Sequence, residues 1–288
     1  MTSARRSGRA AAALCAAAAL PLLYLLFESQ WLRTVEHELA LPDLPPDLDG
    51  FTFVQLSDLH VGSRPSFNLR TLHKAVDQTR PVAPDLIVIT GDLVTGASRL
   101  DELYNELRRL PACRGVFAVQ GNHDHGVMKL VREPATDLSN LDEAGVRLLT
   151  DECVSLEVGA ATLQVCGVDD VMHGYGSIEP VLEALDRRPG TVRLLLSHYG
   201  EVAERLAPGD VALVLSGDTH GGQICLPVPG VRGGRVMLSQ PRARYREGFY
   251  HEDGTLVYIS RGLGTSFLPF RLLCRPEIVV FRLRRAAP

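Results

Sequence analysis

The chain has 288 residues, 45% of them hydrophobic and 22% charged, the make-up of a globular protein with a sizeable core. Its net charge of −4 provides no global field for a polyanion, so no nucleic-acid partner is expected. The six cysteines, Cys15, Cys113, Cys153, Cys166, Cys225 and Cys274, include no CxxC pair. They are expected as small buried hydrophobes rather than a disulfide framework, because a chain this long needs no staples.

Residues 1–9 carry Arg5, Arg6 and Arg9, and Ala10 to Phe27 then run without a charge. As a helix that run spans about 27 Å, the short end for a bilayer core of about 30 Å. A cleaved signal peptide lacks a small-residue cleavage site here, and the surroundings of Arg5-Arg6 match a twin-arginine signal poorly. An uncleaved transmembrane or signal-anchor helix over 10–27 fits best, with Tyr24 and Trp31 near one interface. Residues 28–48, ending in a proline-rich stretch, read as a juxtamembrane linker, and 49–288 as the catalytic domain.

From Phe51 the pattern becomes short apolar runs separated by helix-like segments. Phe51–Leu56, Leu86–Thr90, Val116–Gln120, Leu163–Val168, Val192–Ser197 and Val211–Ser216 are strand-length and rich in branched aliphatics. Segments 66–80, 100–110, 137–145, 178–187 and 200–207 have helix-like composition, and late strands are expected at Leu256–Ile259 and Ile278–Leu283. The alternation specifies an α/β domain.

Five strands end in metal-competent side chains: Asp58 and His60, Asp92, Asn122-His123-Asp124, His198, and Asp218-Thr219-His220. In open α/β sheets ligands bind beyond the carboxyl ends of strands, so these tips are expected on one rim. Carboxylates mixed with imidazoles suit a divalent transition metal, and no cysteine joins them as in a structural zinc site. A glycine precedes Asp92, Asn122 and Asp218, permitting sharp turns there. Capping of turns is the bland alternative for any one of these residues, and a weak one for all together.

The series D-x-H, GD, GNHD, H and G-x-T-H-G-G-Q, from Asp58 to Gln223, resembles the calcineurin-like metallophosphoesterase family. That resemblance implies a four-layer α/β/β/α sandwich that hydrolyses a phosphodiester or pyrophosphate. It implies a first metal held by Asp58, His60, Asp92 and His220, and a second by Asn122 and His198, with Asp92 bridging. A water held between two ions about 3.5–4 Å apart would be acidified to the attacking hydroxide. His123 would protonate the leaving oxygen, and Asp124 would fix its tautomer. Asp218 stands where the family usually has a histidine ligand of the second metal. A carboxylate there leaves three outcomes: a harder second metal such as Mn, which is favoured, a weaker second site, or a site completed by water. For the two divalent ions together Mn is favoured, with Fe, Zn or Mg as alternatives.

Within the family, the N-terminal apolar run resembles the membrane-anchored bacterial branch. This implies a single-pass anchor in the cytoplasmic membrane and a phosphorylated, lipid-linked substrate such as UDP-2,3-diacylglucosamine of lipid A synthesis. The side of the membrane stays open: Arg5, Arg6 and Arg9 put the domain outside, whereas unpaired cysteines and a nucleotide-sugar substrate favour the inside. Arg242, Arg244 and Arg246, and Arg271 and Arg275 beside Phe267, Leu268, Phe270 and Leu272, are candidates for contact with an anionic membrane or an acyl phosphate; a loop packed on the domain with the arginine stems lying over it is the favoured alternative. His125, Asp169-Asp170 and the loop His173–Gly176 could touch, line or cover the rim, with an ordinary loop histidine, a solvated turn and a plain loop as the favoured readings. A degenerate member acting as a metal-binding or interaction module is the alternative, supported by Asp218 alone. Oligomeric state is not legible.

Overall fold

The computed structural model describes residues 19–62, 67–96, 98–128, 132–230, 235–238, 240 and 243–286. Arg5, Arg6, Arg9, Cys15, the first half of the expected anchor and Arg242 lie outside the described residues. Residues 19–29 are helical, and among the described residues no helix is long and apolar enough to cross a membrane.

The strands are β1 (Arg33–Leu41), β2 (Thr52–Leu56), β3 (Leu86–Thr90), β4 (Val116–Val119), β5 (Val146–Leu148), β6 (Glu152–Val158), β7 (Ala161–Gly167), β8 (Thr191–Leu196), β9 (Leu213–Ser216), β10 (Cys225–Pro227), β11 (Arg235–Met237), β12 (Gly248–Glu252), β13 (Thr255–Ile259) and β14 (Glu277–Arg285). Three α-helices, α1 (Phe67–Thr79), α2 (Leu100–Leu107) and α3 (Glu179–Ala184), lie between them. One six-stranded sheet runs β1-β14-β2-β3-β4-β5 and the other β12-β13-β9-β8-β7-β6, with β10-β11 as a separate hairpin.

Side-chain alternation along the strands builds three cores from two sheets. In the first sheet, Phe53, Leu86 and Val88 face inward to meet Leu194, Leu196, Leu213 and Leu215 of the second. Their strand neighbours Val54, Leu56, Ile87 and Ile89 point the other way, onto Leu72, Val76, Leu103 and Leu107 of α1 and α2. On the far side, Leu195, Val214 and Val257 pack on Ile178, Val181 and Val202. Helices, sheet, sheet and short helices therefore form four layers. Central strands buried on both faces have no polar alternation, which is why β3 reads as an apolar run up to Thr90; in β2 the buried Gln55 interrupts the run and donates to the Thr90 hydroxyl and the Ser216 carbonyl.

Two expectations are corrected. Residues 33–41, inside the segment read as a linker, form β1, paired in parallel with β14 from Arg33↔Glu277 to Leu41↔Arg285. This strand fully buries only Leu39 and follows no turn signal, so its partner at the far end of the chain decides its conformation. The cysteines are not all unpaired: Cys153 and Cys166 form a disulfide, while Cys113, Cys225 and Cys274 take part in none. The disulfide joins residues directly opposite each other in the antiparallel β6–β7 pair, a register that cysteine spacing does not reveal. Its reduction is expected to cost about 3 kcal/mol or less, from loop-closure entropy over a short loop. A lower urea midpoint in dithiothreitol, absent in the Cys153→Ala/Cys166→Ala variant, checks this.

Candidate metal centre

The carboxyl ends of β2, β3, β8 and β9 and the loop after β4 bring the motif residues together. Asp58, His60, Asp92 and His220 each offer a ligand atom, all within 4.8 Å of one another and all buried. His60 Nε2 lies 2.9 Å from His220 Nε2 and 3.4 Å from Asp92 Oδ2. His220 Nε2 is 3.4 Å from Asp58 Oδ1. Asp92 Oδ2 also faces His198 Nε2 at 3.4 Å, and beyond it Asp218 Oδ1 stands 3.8 Å from the same nitrogen. Asp92 is thus shared between the four-residue cluster and the His198–Asp218 side. Asn122 lies on that side too, its Oδ1 accepting from the Tyr199 hydroxyl at 2.9 Å.

The turns that aim these groups are strained. Asp58, His60, Asp92, Asp218 and His220 all take positive φ, between 46° and 66°, a region that non-glycine residues enter at a cost and mostly at functional sites. The bend therefore falls on the ligand residues themselves, not only on the glycines before them. Gly91 does turn the chain, at φ +86°, and a Cβ there would lie 2.5 Å from His198 Nδ1. At Gly121 the need is space instead: a Cβ would sit 2.3 Å from Asp92 Oδ1.

The donor set fits a divalent cation. Both carboxylate oxygens of Asp58 and Nε2 of His198 are buried without a hydrogen bond, an arrangement that costs free energy unless a cation meets these atoms. His198 Nδ1 donates to the Thr90 carbonyl at 2.9 Å, which aims Nε2 at the cluster. Burial pushes the Asp58 carboxyl up to about 7, against the opposing pull of His198 and with help from Asp92. Burial also drives His60 down to about 3. On Asp92, burial is outweighed by His198 and His123, which hold the carboxyl below its usual range. His198 is raised in return: burial opposes its charge, but Asp92 beside it prevails.

Asp58 is raised above its unfolded value of 3.8, so its contribution to metal-free stability is full below that pH and is lost as pH rises to about 7. A bound cation needs the carboxylate and reverses that loss. Mn²⁺ is therefore expected to raise the melting temperature more at pH 8 than at pH 5; differential scanning fluorimetry with and without EDTA checks it.

A cleft of about 350 Å³ opens over the cluster, lined by Asp92, Asn122, His123, Asp218, Thr219, His220, Gln223, Gln240, Ser266 and Phe267. The His123 ring stands edge-on to His60, 4.6 Å between centroids, and borders this cleft. Its expected partner is elsewhere: the Asp124 carboxylate is fully buried and accepts from the backbone amides of Gly121, Leu93 and Val94 at 2.9 to 3.2 Å. Asp124 ties two ligand loops together and does not orient His123. Thr95 Oγ1 takes that place, 3.3 Å from His123 Nδ1 and 2.8 Å from His60 Nδ1. The possible rim residues are ordered pairs, His125 with Asp169 at 2.7 Å and His173 with Asp170 at 2.8 Å.

For Arg271 the packed reading holds, and more deeply than an arginine stem laid over a loop. It is fully buried and does not face a membrane. Its guanidinium donates to the carbonyls of His220, Cys274, Arg261, Gly262 and Gly264, tying the His220 turn to the loop that packs on Asp58. Arg271→Met leaves those carbonyls short of donors and is expected to cost about 3 kcal/mol or more. Urea denaturation with an unchanged m-value checks it. Neither Arg271, Thr95 nor Tyr199 stands in a motif, and only the tertiary fold brings them to the site.

Buried carboxylates and imidazoles converging at strand tips beneath an open cleft define a metal-dependent hydrolase centre. A sequence profile for calcineurin-like phosphoesterases matches residues 51–222. The chain is 33% identical over 262 residues to the uncharacterized metallophosphoesterase YkuE of Bacillus subtilis, covering 89% of this chain and 87% of that one. It is 28% identical over 262 residues to phosphodiesterase YaeI of Escherichia coli, covering 89% and 90%. Over 288 residues it is 28% identical to a Danio rerio transmembrane protein with a metallophosphoesterase domain, covering 95% of this chain and 62% of that protein. The chain belongs to the calcineurin-like phosphoesterase family and is a metallophosphoesterase, a hydrolase of phosphoesters.

Proposed function

We propose that the protein is a phosphodiesterase using two divalent ions, one held by Asp58, His60, Asp92 and His220, the other by Asp92, Asn122, His198 and Asp218. The observation that carries this reading is the position of Asp92, 3.4 Å from both His60 Nε2 and His198 Nε2. Bound ions would supply positive charge to the phosphoryl oxygens and acidify a water to a nucleophile near neutral pH. The chain's own residues hold that geometry: Thr90 and Thr95 orient His198 and His60, and Tyr199 holds Asn122. His123, on the cleft wall, gives a proton to the leaving oxygen. Asp218 keeps a carboxylate oxygen toward His198 while Gln240 donates to the other at 3.1 Å. An extra oxygen donor at this side favours Mn.

The diester preference is drawn from the name of the Escherichia coli relative. Residues 10–27 are proposed as a single-pass anchor in a bacterial cytoplasmic membrane. The Cys153–Cys166 disulfide suits an oxidising compartment, and Arg5, Arg6 and Arg9 favour the cytoplasm for the other end; both support an outside placement of the domain. That placement weighs against a cytoplasmic nucleotide sugar such as UDP-2,3-diacylglucosamine.

Metal-stripped protein assayed on an aryl phosphodiester, an aryl phosphomonoester and UDP-2,3-diacylglucosamine, with Mn²⁺, Fe²⁺, Zn²⁺ or Mg²⁺ restored, tests the reading. Diester turnover restored best by Mn²⁺ is expected. Binding of metal with no turnover of any substrate would instead make the protein a degenerate, metal-binding member.

A further inference from the structure

The helical residues 19–29 leave the domain with apolar side chains on every face. Leu20, Leu22, Leu23 and Tyr24, spread over more than one turn, are 45–65% exposed, and Phe27 follows at 56%. A helix apolar all round is at home only inside a protein core or in lipid. At its foot stands the exposed Trp31, with the Arg275 guanidinium 3.9 Å above its ring, an aromatic–cation pair suited to a membrane–water boundary.

A second apolar group lies at the same end of the domain. Phe267, Leu268 and Leu273 are exposed on the loop that joins β13 to β14. This loop is bound to the helix. The Arg271 amide donates to the Leu25 carbonyl at 3.2 Å, and the Cys274 amide to the buried Glu28 carboxylate at 2.7 Å. Arg275 Nε donates to the Trp31 carbonyl at 2.9 Å. Phe267 also borders the cleft, its ring centroid 6.2 Å from that of His123.

We propose that helix 19–29 and the Phe267–Leu273 loop form one lipid-docking surface, which holds the mouth of the metal cleft at the bilayer boundary. The phosphoester delivered there is the headgroup of an amphiphile, a statement that rests on the phosphodiesterase reading of the cleft. Lipid is the occupant rather than a second copy of the chain, because the exposed side chains surround the helix instead of forming one stripe. The uncharged residues 10–18 continue the apolar sequence upstream. The loop adds three apolar side chains beside the cleft, so docking and substrate entry share one face.

Trp31 is the only tryptophan, so its emission reports the helix foot directly. In the full chain reconstituted with phosphatidylcholine vesicles, acyl chains brominated near the headgroup should quench it. Leu268→Trp in a Trp31→Phe background reads the loop, and turnover of a soluble aryl phosphodiester is measured on both proteins. Loss of about half the emission from both positions is expected, since interfacial elements lie about 5–10 Å into the headgroup–acyl boundary. Quenching at Trp31 but not at the Leu268→Trp position overturns the shared surface. Quenching at neither, with a dimeric mass in sizing, assigns the face to a second copy and also overturns it. Quenching at both with no diester turnover leaves the docking surface standing and sinks the phosphodiesterase reading alone.

Discussion

Asp92→Asn is expected to abolish turnover of an aryl phosphodiester, by roughly 10³-fold or more, while the protein stays folded. The substitution keeps the shape of the side chain and removes its charge. Asp92 is where the two halves of the centre meet, His60 and His198 each 3.4 Å from Oδ2, and its Oδ1 accepts from the His123 amide at 2.9 Å. An amide can still accept from that backbone N–H, so the loop after β4 should hold. It cannot neutralise two adjacent cations, so metal content should fall along with rate. Changes to groups that merely support ligands typically cost about 10–100-fold, and a loss confined to that range would show Asp92 to be peripheral. Turnover, metal analysis and far-UV circular dichroism on the same sample separate these outcomes.

His123→Ala should lower turnover about 10²–10⁴-fold, the usual contribution of a positioned acid. Here metal content should be unchanged, because the His123 ring stands outside the four-residue cluster and lines the cleft. The loss should also depend on the leaving group. A nitrophenolate leaves without a proton, so an aryl diester should lose less than an alkyl diester. An equal loss on both substrates would assign His123 to binding rather than proton transfer. Asp124→Asn, by contrast, is expected to act through stability, since its carboxylate holds three backbone amides and no imidazole.

Much of the site was legible because its ligands follow buried strands directly. A strand buried on both faces is a plain apolar run, and a polar residue at its end is conspicuous against it. Asp58, Asp92, His198 and Asp218 could all be found this way, and they lie where the strand-tip rule places them. The resemblance supplied the order of layers and the pairing of ligands.

What stayed hidden depends on register and distance. β1 and β14 lie 244 residues apart at their first paired positions, Arg33 and Glu277, yet β1 exists only through that pairing. The Cys153–Cys166 disulfide follows from hairpin register, and the spacing of 13 carries no signal of it. Arg271 looked like a surface arginine beside apolar residues. Nothing local shows that five carbonyls, one from the His220 turn and four from the β13–β14 loop, close around it. Adjacency in sequence suggests a His123–Asp124 pair, whereas the turn sends the Asp124 carboxylate to the amides of Gly121, Leu93 and Val94.

Crystals soaked in Mn²⁺ and measured at the manganese absorption edge would test the centre most directly. Two anomalous peaks about 3.5–4 Å apart are expected, one enclosed by Asp58, His60, Asp92 and His220, the other by Asp92, Asn122, His198 and Asp218. A single peak, or none within reach of Asp92, would contradict a paired-ion phosphodiesterase.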